Sequence, residues 1–174
     1  HKRGGVNTEV YRLDNMPNGS KSNHLDGLIV IGKASTRILS YFNHTDSVVY
    51  LDYSPEKSIY HSIQVDFREA TSIALNHLFS LGYKRIGFIG GRQTKHMEYE
   101  KTRFKDDRQL TFESKMKQES LYRKEDVFVG EFTISDGYHL MKQAIEKGNM
   151  PKAFLIASDR MAIGALRARQ EEKV

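Results

Sequence analysis

The chain contains no cysteine. Disulfides, thiolate metal sites and cysteine nucleophiles are therefore excluded, and a cytoplasmic setting is the expectation. Long apolar runs are missing as well. None approaches the roughly 18 residues needed to cross a bilayer, so no membrane partner is expected. No secretory signal pattern opens the chain, which begins HKRGG and runs into VNTEVYRL. Four catalytic or cofactor motifs are also lacking. There is no GxxxxGK[ST], and FIGGRQ is not GxGxxG, so Gly90-Gly91 reads as a tight strand exit rather than a phosphate loop. The seven histidines form no HExxH or other close ligand spacing. No GxSxG elbow is present. No cofactor and no metal are expected, and nothing singles out a catalysed reaction. The chain is read as a non-enzyme.

What is present is an ordinary globular composition. The 174 residues are 39% hydrophobic and 28% charged, enough for one domain or two small lobes with a polar surface. The net charge of +5 permits anionic partners, but the cations are interleaved with acids. Even the densest basic run, KTRFKDDR at 101–108, holds two Asp and reads as a solvated loop.

Along the chain, strand and helix periods alternate. VNTEVYRL (6–13) looks like a strand and DNMPNGSKSN (14–23) a loop rich in turn formers. LDGLIVIG (25–32) and SVVYLD (47–52) are short continuous apolar runs, as for strands buried on both faces. KASTRILSYFNH (33–44) is a short helix, and IQVDF (63–67) another strand. In REATSIALNHLFSLG (68–82), Ala70, Ile73, Ala74, Leu78 and Leu81 recur at helical spacing, with Gly82 as the stop. KRIGFIGG (84–91) is a strand, RQTKHMEYEKTRFK (92–105) a polar loop or lid, and DDRQLTFESKMKQES (106–120) a helix. VFVGEF, ISDGYHLMKQAIEKGN, AFLIAS and DRMAIGALRARQEE complete a further strand–helix–strand–helix run. Such alternation predicts an α/β fold with parallel sheets. A boundary near residue 62 gives an N-terminal lobe of 1–62 and a C-terminal lobe of 63–174. The first is thin for an independent core, so both lobes are expected to be partial.

In open parallel sheets, ligands bind where the strands end. The informative positions are therefore Gly32-Lys33, Asp52-Tyr53, Asp66, Gly90-Gly91, Phe132 and Ser158-Asp159. Asp106-Asp107 and Asp66 with Glu69 begin helices, where acids suit the helix dipole. Arg108 lies in a first helical turn after a long polar segment. It is either an exposed helix arginine or a planar fork for hydroxyls or a carboxylate. Phe132 is either a core aromatic or a stacking platform for a sugar face. Ser158 and Asp159 are either a helix cap or part of a pocket.

Taken together, IQVDFREATSIALNHLFSLGYKRIGFIGG, DDRQLTFESKM, FVGEFTISDGYHLMKQAI and PKAFLIASDRMAIGALRA resemble, in order and spacing, the sensor domain of the LacI/GalR regulators. LDGLIVIGKAS and SVVYLDYSPE match as well, and DDRQLTF and GKAS look most like the galactose-operon repressors of Gram-positive bacteria. The resemblance implies a type I periplasmic-binding-protein-like fold, with two parallel-sheet lobes around a ligand cleft. It also implies a small, galactose-like sugar effector, a homodimer, and operator DNA bound through a helix-turn-helix module outside this chain. Arg108 matches the arginine of an R-x-x-G-F-like pattern, here RQLTF with Thr111 in place of Gly. Phe132 matches an aromatic that stacks on ligand. Ser158 stands where Asn is common, and Glu69 matches a polar position facing the cleft. Asp159 matches a helix cap near the site. A solute-binding protein of a sugar transporter is the alternative on the same fold, with an α/β enzyme third.

Overall fold

A computed structural model describes residues 7–12, 25–34, 36–42, 47–55, 59–96 and 101–172. The expected loop at 14–23 lies outside them. Two compact units are present: His1–Gln64 with Lys95–Thr102, and Val65–Thr94 with Arg103–Val174.

The first unit carries three parallel strands in sequence order: β1 (Leu28–Ile31), β2 (Val48–Leu51) and β3 (His61–Ile63). Val30, Ala34, Val48 and Tyr50 form its core. The expectation of strands buried on both faces fails for β1. Ile29 and Ile31 are 64% and 70% exposed, because only the Val30 side of the strand is covered. Residues 7–12 are not a strand, and Thr36–Tyr41 is a 3-10 helix rather than an α-helix. The strand expected at 63–67 ends at Ile63 instead. The Asp66 carboxylate accepts from the backbone N–H of Arg68 and Glu69, which draws Phe67 into the following helix.

The second unit holds α1 (Phe67–Ser80), most of β4 (Ile86–His96) and of β5 (Lys101–Lys105), α2 (Asp107–Gln118), β6 (Val127–Gly130), α3 (Ile134–Glu146), β7 (Ala153–Ile156) and α4 (Asp159–Glu171). β4 is central, flanked in parallel by β6 and β7 and bordered also by β5. The connection from β4 to β5 is far too short for a parallel crossover, which takes a dozen or more residues. The segment expected as a polar loop at 92–105 is thus largely strand. Its polar side chains gave no strand signal, and it lacks the Asn-Gly type of turn that marks hairpins.

Apolar layers cover the two faces of this sheet. Leu75, Phe88, Phe112 and Met116 fill one, under α1 and α2. Ile89, Phe128, Met141, Met161 and Ala165 fill the other, under α3 and α4. α1 buries a different stripe from the one its spacing suggests. Thr71 and Leu75 are buried, with Leu78 and Phe79 partly so, while Ile73 is 62% exposed and Leu81 is exposed too. The helix is apolar on more than one side, so periodicity alone could not choose. α3 and α4 touch backbone to backbone. A Cβ on Gly164 would lie 2.0 Å from the carbonyl oxygen of Ile134, and one on Gly137 would lie 2.1 Å from that of Met161. Among the described residues, no helix is long and apolar enough to cross a membrane.

Candidate functional site

At the carboxyl end of the second unit's sheet, two strand ends and two helix starts converge. β6 stops at Gly130, just before Phe132, and β7 stops at Ile156, just before Ala157. α1 begins with Phe67, and α2 begins one residue before Arg108. Gly91 on β4 makes room here: a Cβ at this position would sit 2.7 Å from the Phe132 ring and 2.9 Å from its backbone nitrogen. The bare backbone lets the ring lie against the strand.

Arg108 is the centre of the arrangement. Its Nε donates to Oδ1 of Asp106 at 2.5 Å and its Nη2 to Oδ2 at 2.9 Å, a two-point fork. Nη1 donates to the carbonyl oxygen of Ala157 at 2.6 Å. The guanidinium carbon lies 4.1 Å from the centroid of the Phe67 ring and 4.8 Å from that of Phe132. Both are within cation–π range. The Arg108 side chain keeps only 16% exposure, so its charge is largely desolvated. Such a burial is tolerated because the charge is paired and hydrogen-bonded.

Asp106 is 1% exposed and works in two ways. It is the N-cap of α2, its Oδ1 accepting from the backbone N–H of Arg108 at 2.9 Å. Its Oδ2 also accepts from Nε2 of Gln93 on β4. Both carboxylate oxygens are therefore fully used. The Gln93 amide can face only one way, nitrogen toward the carboxylate. Its Oε1 is left buried with no hydrogen-bond partner.

Of the residues singled out in the sequence, Arg108 and Phe132 are brought together here. Ser158 is next to Ala157, whose carbonyl holds Arg108. The helix cap expected at Asp159 is Ser158 instead. Ser158 is the N-cap of α4, with extended backbone and its Oγ accepting from the N–H of Met161 at 3.3 Å. Asp159 is the first helical residue, exposed, and accepts from the N–H of Arg160. The cause is geometric. A cap residue must leave helical φ and ψ and reach three residues forward, which Asp159 inside the helix cannot do. Glu69 is exposed in the first turn of α1, two residues beyond Phe67. Phe67, Asp106 and Gln93 were missed as site residues. Its place at a helix start marked Asp106 as an acid suited to the helix dipole, but nothing local marked it as the partner of Arg108.

These elements define a domain of the α/β class built on parallel strands, with a polar cluster at their carboxyl ends, the edge where such sheets generally take ligands. The periplasmic binding protein-like domain family matches residues 75–174. The chain is 38% identical over 171 residues to the HTH-type transcriptional repressor MelR of Bacillus subtilis (strain 168), covering 94% of this chain and 49% of that one. It is 34% identical over 154 residues to the HTH-type transcriptional regulator GalR of Lacticaseibacillus casei, covering 87% and 46%. The crystal structure of a LacI family transcriptional regulator from Lactobacillus casei with bound sucrose superposes with a TM-score of 0.66 at 21% identity, covering 86% and 55%. The chain belongs to the periplasmic binding protein-like domain family, and the curated relatives it resembles within it are helix-turn-helix regulators. It spans about half the length of the curated relatives it matches.

Proposed function

We propose that this chain is the effector-binding domain of a sugar-responsive transcriptional repressor. It binds a small, galactose-like sugar at the carboxyl edge of the second unit. Arg108 holds ligand hydroxyls and Phe132 covers an apolar sugar face. Ser158 and Glu69 border the site, Ser158 by shaping the start of α4. The observation that carries this reading is the Arg108 fork. It is aimed and stacked at a strand-end edge, in a chain closely related to helix-turn-helix repressors.

The protein acts in the cytoplasm and catalyses no reaction. Ligand occupancy is coupled to operator DNA through a helix-turn-helix module outside this chain. That coupling is reciprocal: if sugar weakens operator binding, operator weakens sugar binding by the same factor. The active form is a homodimer that uses the outer side of α4, where Ile163 and Leu166 are exposed. The similarity to named helix-turn-helix regulators favours this reading over a transporter's solute-binding protein.

Calorimetric titration of the intact protein with galactose, lactose, sucrose and glucose tests the proposal, together with operator affinity measured with and without sugar. The expected result is saturable binding of at least one sugar and a changed operator affinity. Absence of heat with every sugar would overturn it. Ile163→Asp is expected to shift sedimentation from dimer to monomer, and an unchanged dimer would refute the α4 interface.

A further inference from the structure

We infer that this site is built for an uncharged polyol and turns away anionic sugars, because Asp106 neutralises Arg108 within it. The inference rests on the reading that a sugar binds beside Arg108. It goes further by fixing the charge of that sugar.

Two observations support it independently. The first is charge. A lone, partly buried guanidinium at a strand-end edge is a ready site for a carboxylate or phosphate. Here the guanidinium is already matched, on its Nε–Nη2 edge, by a carboxylate that is itself almost wholly removed from water. A second anion brought to Arg108 meets the negative charge of Asp106 across the same planar group, in surroundings that screen poorly. Nearby, Arg68 cannot supply the missing positive charge freely, because it is paired with Asp107 at 3.2 Å.

The second is hydrogen-bond polarity. Of the five N–H groups on a guanidinium, Arg108 spends three on Asp106 and Ala157. One hydrogen on each Nη remains to donate. Close by, Oε1 of Gln93 is an acceptor with no donor. The cluster thus has spare donors and a spare acceptor. A hydroxyl both donates and accepts, and a polyol can serve both needs. A carboxylate or phosphate dianion set beside Arg108 only accepts, so the charged group of an anionic sugar leaves Oε1 unmet where a hydroxyl would not. An unmatched buried polar group is a strong source of discrimination.

The experiment uses the intact protein. Its affinities are measured by calorimetry for neutral sugars (galactose, lactose, sucrose, glucose) and for galacturonate and galactose 6-phosphate. The wild type is expected to bind its preferred neutral sugar about 100-fold or more tightly than either anion, in line with the discrimination an unmatched polar group gives. Raising salt from 0.05 to 0.5 M is expected to change that neutral affinity by less than about two-fold, since no net charge is being bound. Asp106→Asn keeps a good capping side chain but removes the negative charge. It is expected to raise the ratio of anion to neutral affinity by about ten-fold or more, and galacturonate should raise its melting temperature more than galactose does.

Equal wild-type affinity for a neutral sugar and its acid, or an unchanged ratio in a folded Asp106→Asn, would overturn the inference while leaving the proposed function intact. If Asp106→Asn does not fold, the wild-type selectivity and salt dependence decide. Absence of binding by every sugar, neutral or charged, would overturn both.

Discussion

Two Arg–Asp forks stand at opposite ends of one sheet, in different surroundings. At the amino end, Arg85 donates from Nε and Nη2 to the two oxygens of Asp126, both at 2.7 Å, and from Nη1 to Oδ1 of Asn149 at 3.1 Å. Arg85 leads into β4, Asp126 into β6, and Asn149 lies in the turn before β7, so one side chain ties three strand starts. At the carboxyl end, Arg108 makes the same two-point contact with Asp106. The pairing chemistry is shared, but the surroundings are not. The lower fork spends the same three N–H groups, but no unpartnered buried acceptor is found beside it among the described residues. The upper fork lies over two aromatic rings, and its aspartate also holds a glutamine whose oxygen has no partner. An ion pair alone does not mark a binding site; what the proposed site adds is an unpartnered buried acceptor beside the pair.

The comparison can be broken most forcefully at the lower fork. Asp126→Ala removes a nearly buried carboxylate and strands Arg85. A loss of about 3 kcal/mol in unfolding free energy is expected, read by denaturant titration, with sugar affinity unchanged. A loss of sugar binding equal to that of an Arg108 variant would erase the distinction between the two forks.

A smaller effect is expected at Gly91. Gly91→Ala pushes on the Phe132 ring and its backbone, and overpacking of this kind costs about 1–3 kcal/mol. Because the displaced ring lies over Arg108, sugar affinity should fall along with stability. Lost stability with untouched affinity would take Phe132 out of the site.

The mildest test concerns a network that belongs to neither fork. Burial pushes the Glu113 carboxyl up, but hydrogen bonds from Lys105 and Gln109 outweigh it and hold the group below the usual carboxylate range. A lowered folded-state value means this stabilisation is full above the ordinary carboxylate range. It is lost as pH falls through the depressed value. Glu113→Gln should therefore cost about 1 kcal/mol at neutral pH, and the gap to wild type should close on acidification. A gap that widens in acid would contradict the assignment.

Much of this organisation was legible in the sequence. The second unit's strands and helices fell close to their expected places, because each helix carries a clear start. Asp66, Asp106, Thr133 and Ser158 all cap with side-chain oxygens. Arg108 and Phe132 were both picked out, by their place after a polar segment and after a strand. What stayed hidden depends on tertiary contact. The buried stripe of α1 was chosen by the sheet, not by spacing. β4 and β5 extend through polar residues that match no strand pattern. Phe67 seemed to end a strand until Asp66 capped the helix. Gln93 lay in an apparent loop, and its link to Asp106 joins β4 to the start of α2.

The most direct test compares the two arginines in the intact protein. Sugar affinity is measured by calorimetry for Arg108→Met and Arg85→Met, each checked for folding by circular dichroism. Arg108→Met is expected to weaken binding by about 100-fold, as for truncation of a buried charged partner. Arg85→Met should melt at a lower temperature than wild type yet bind within about two-fold of it, since its fork lies far from the ligand edge. Equal affinities in the two variants, or full binding by Arg108→Met, would contradict the assignment of the ligand to the carboxyl-end fork.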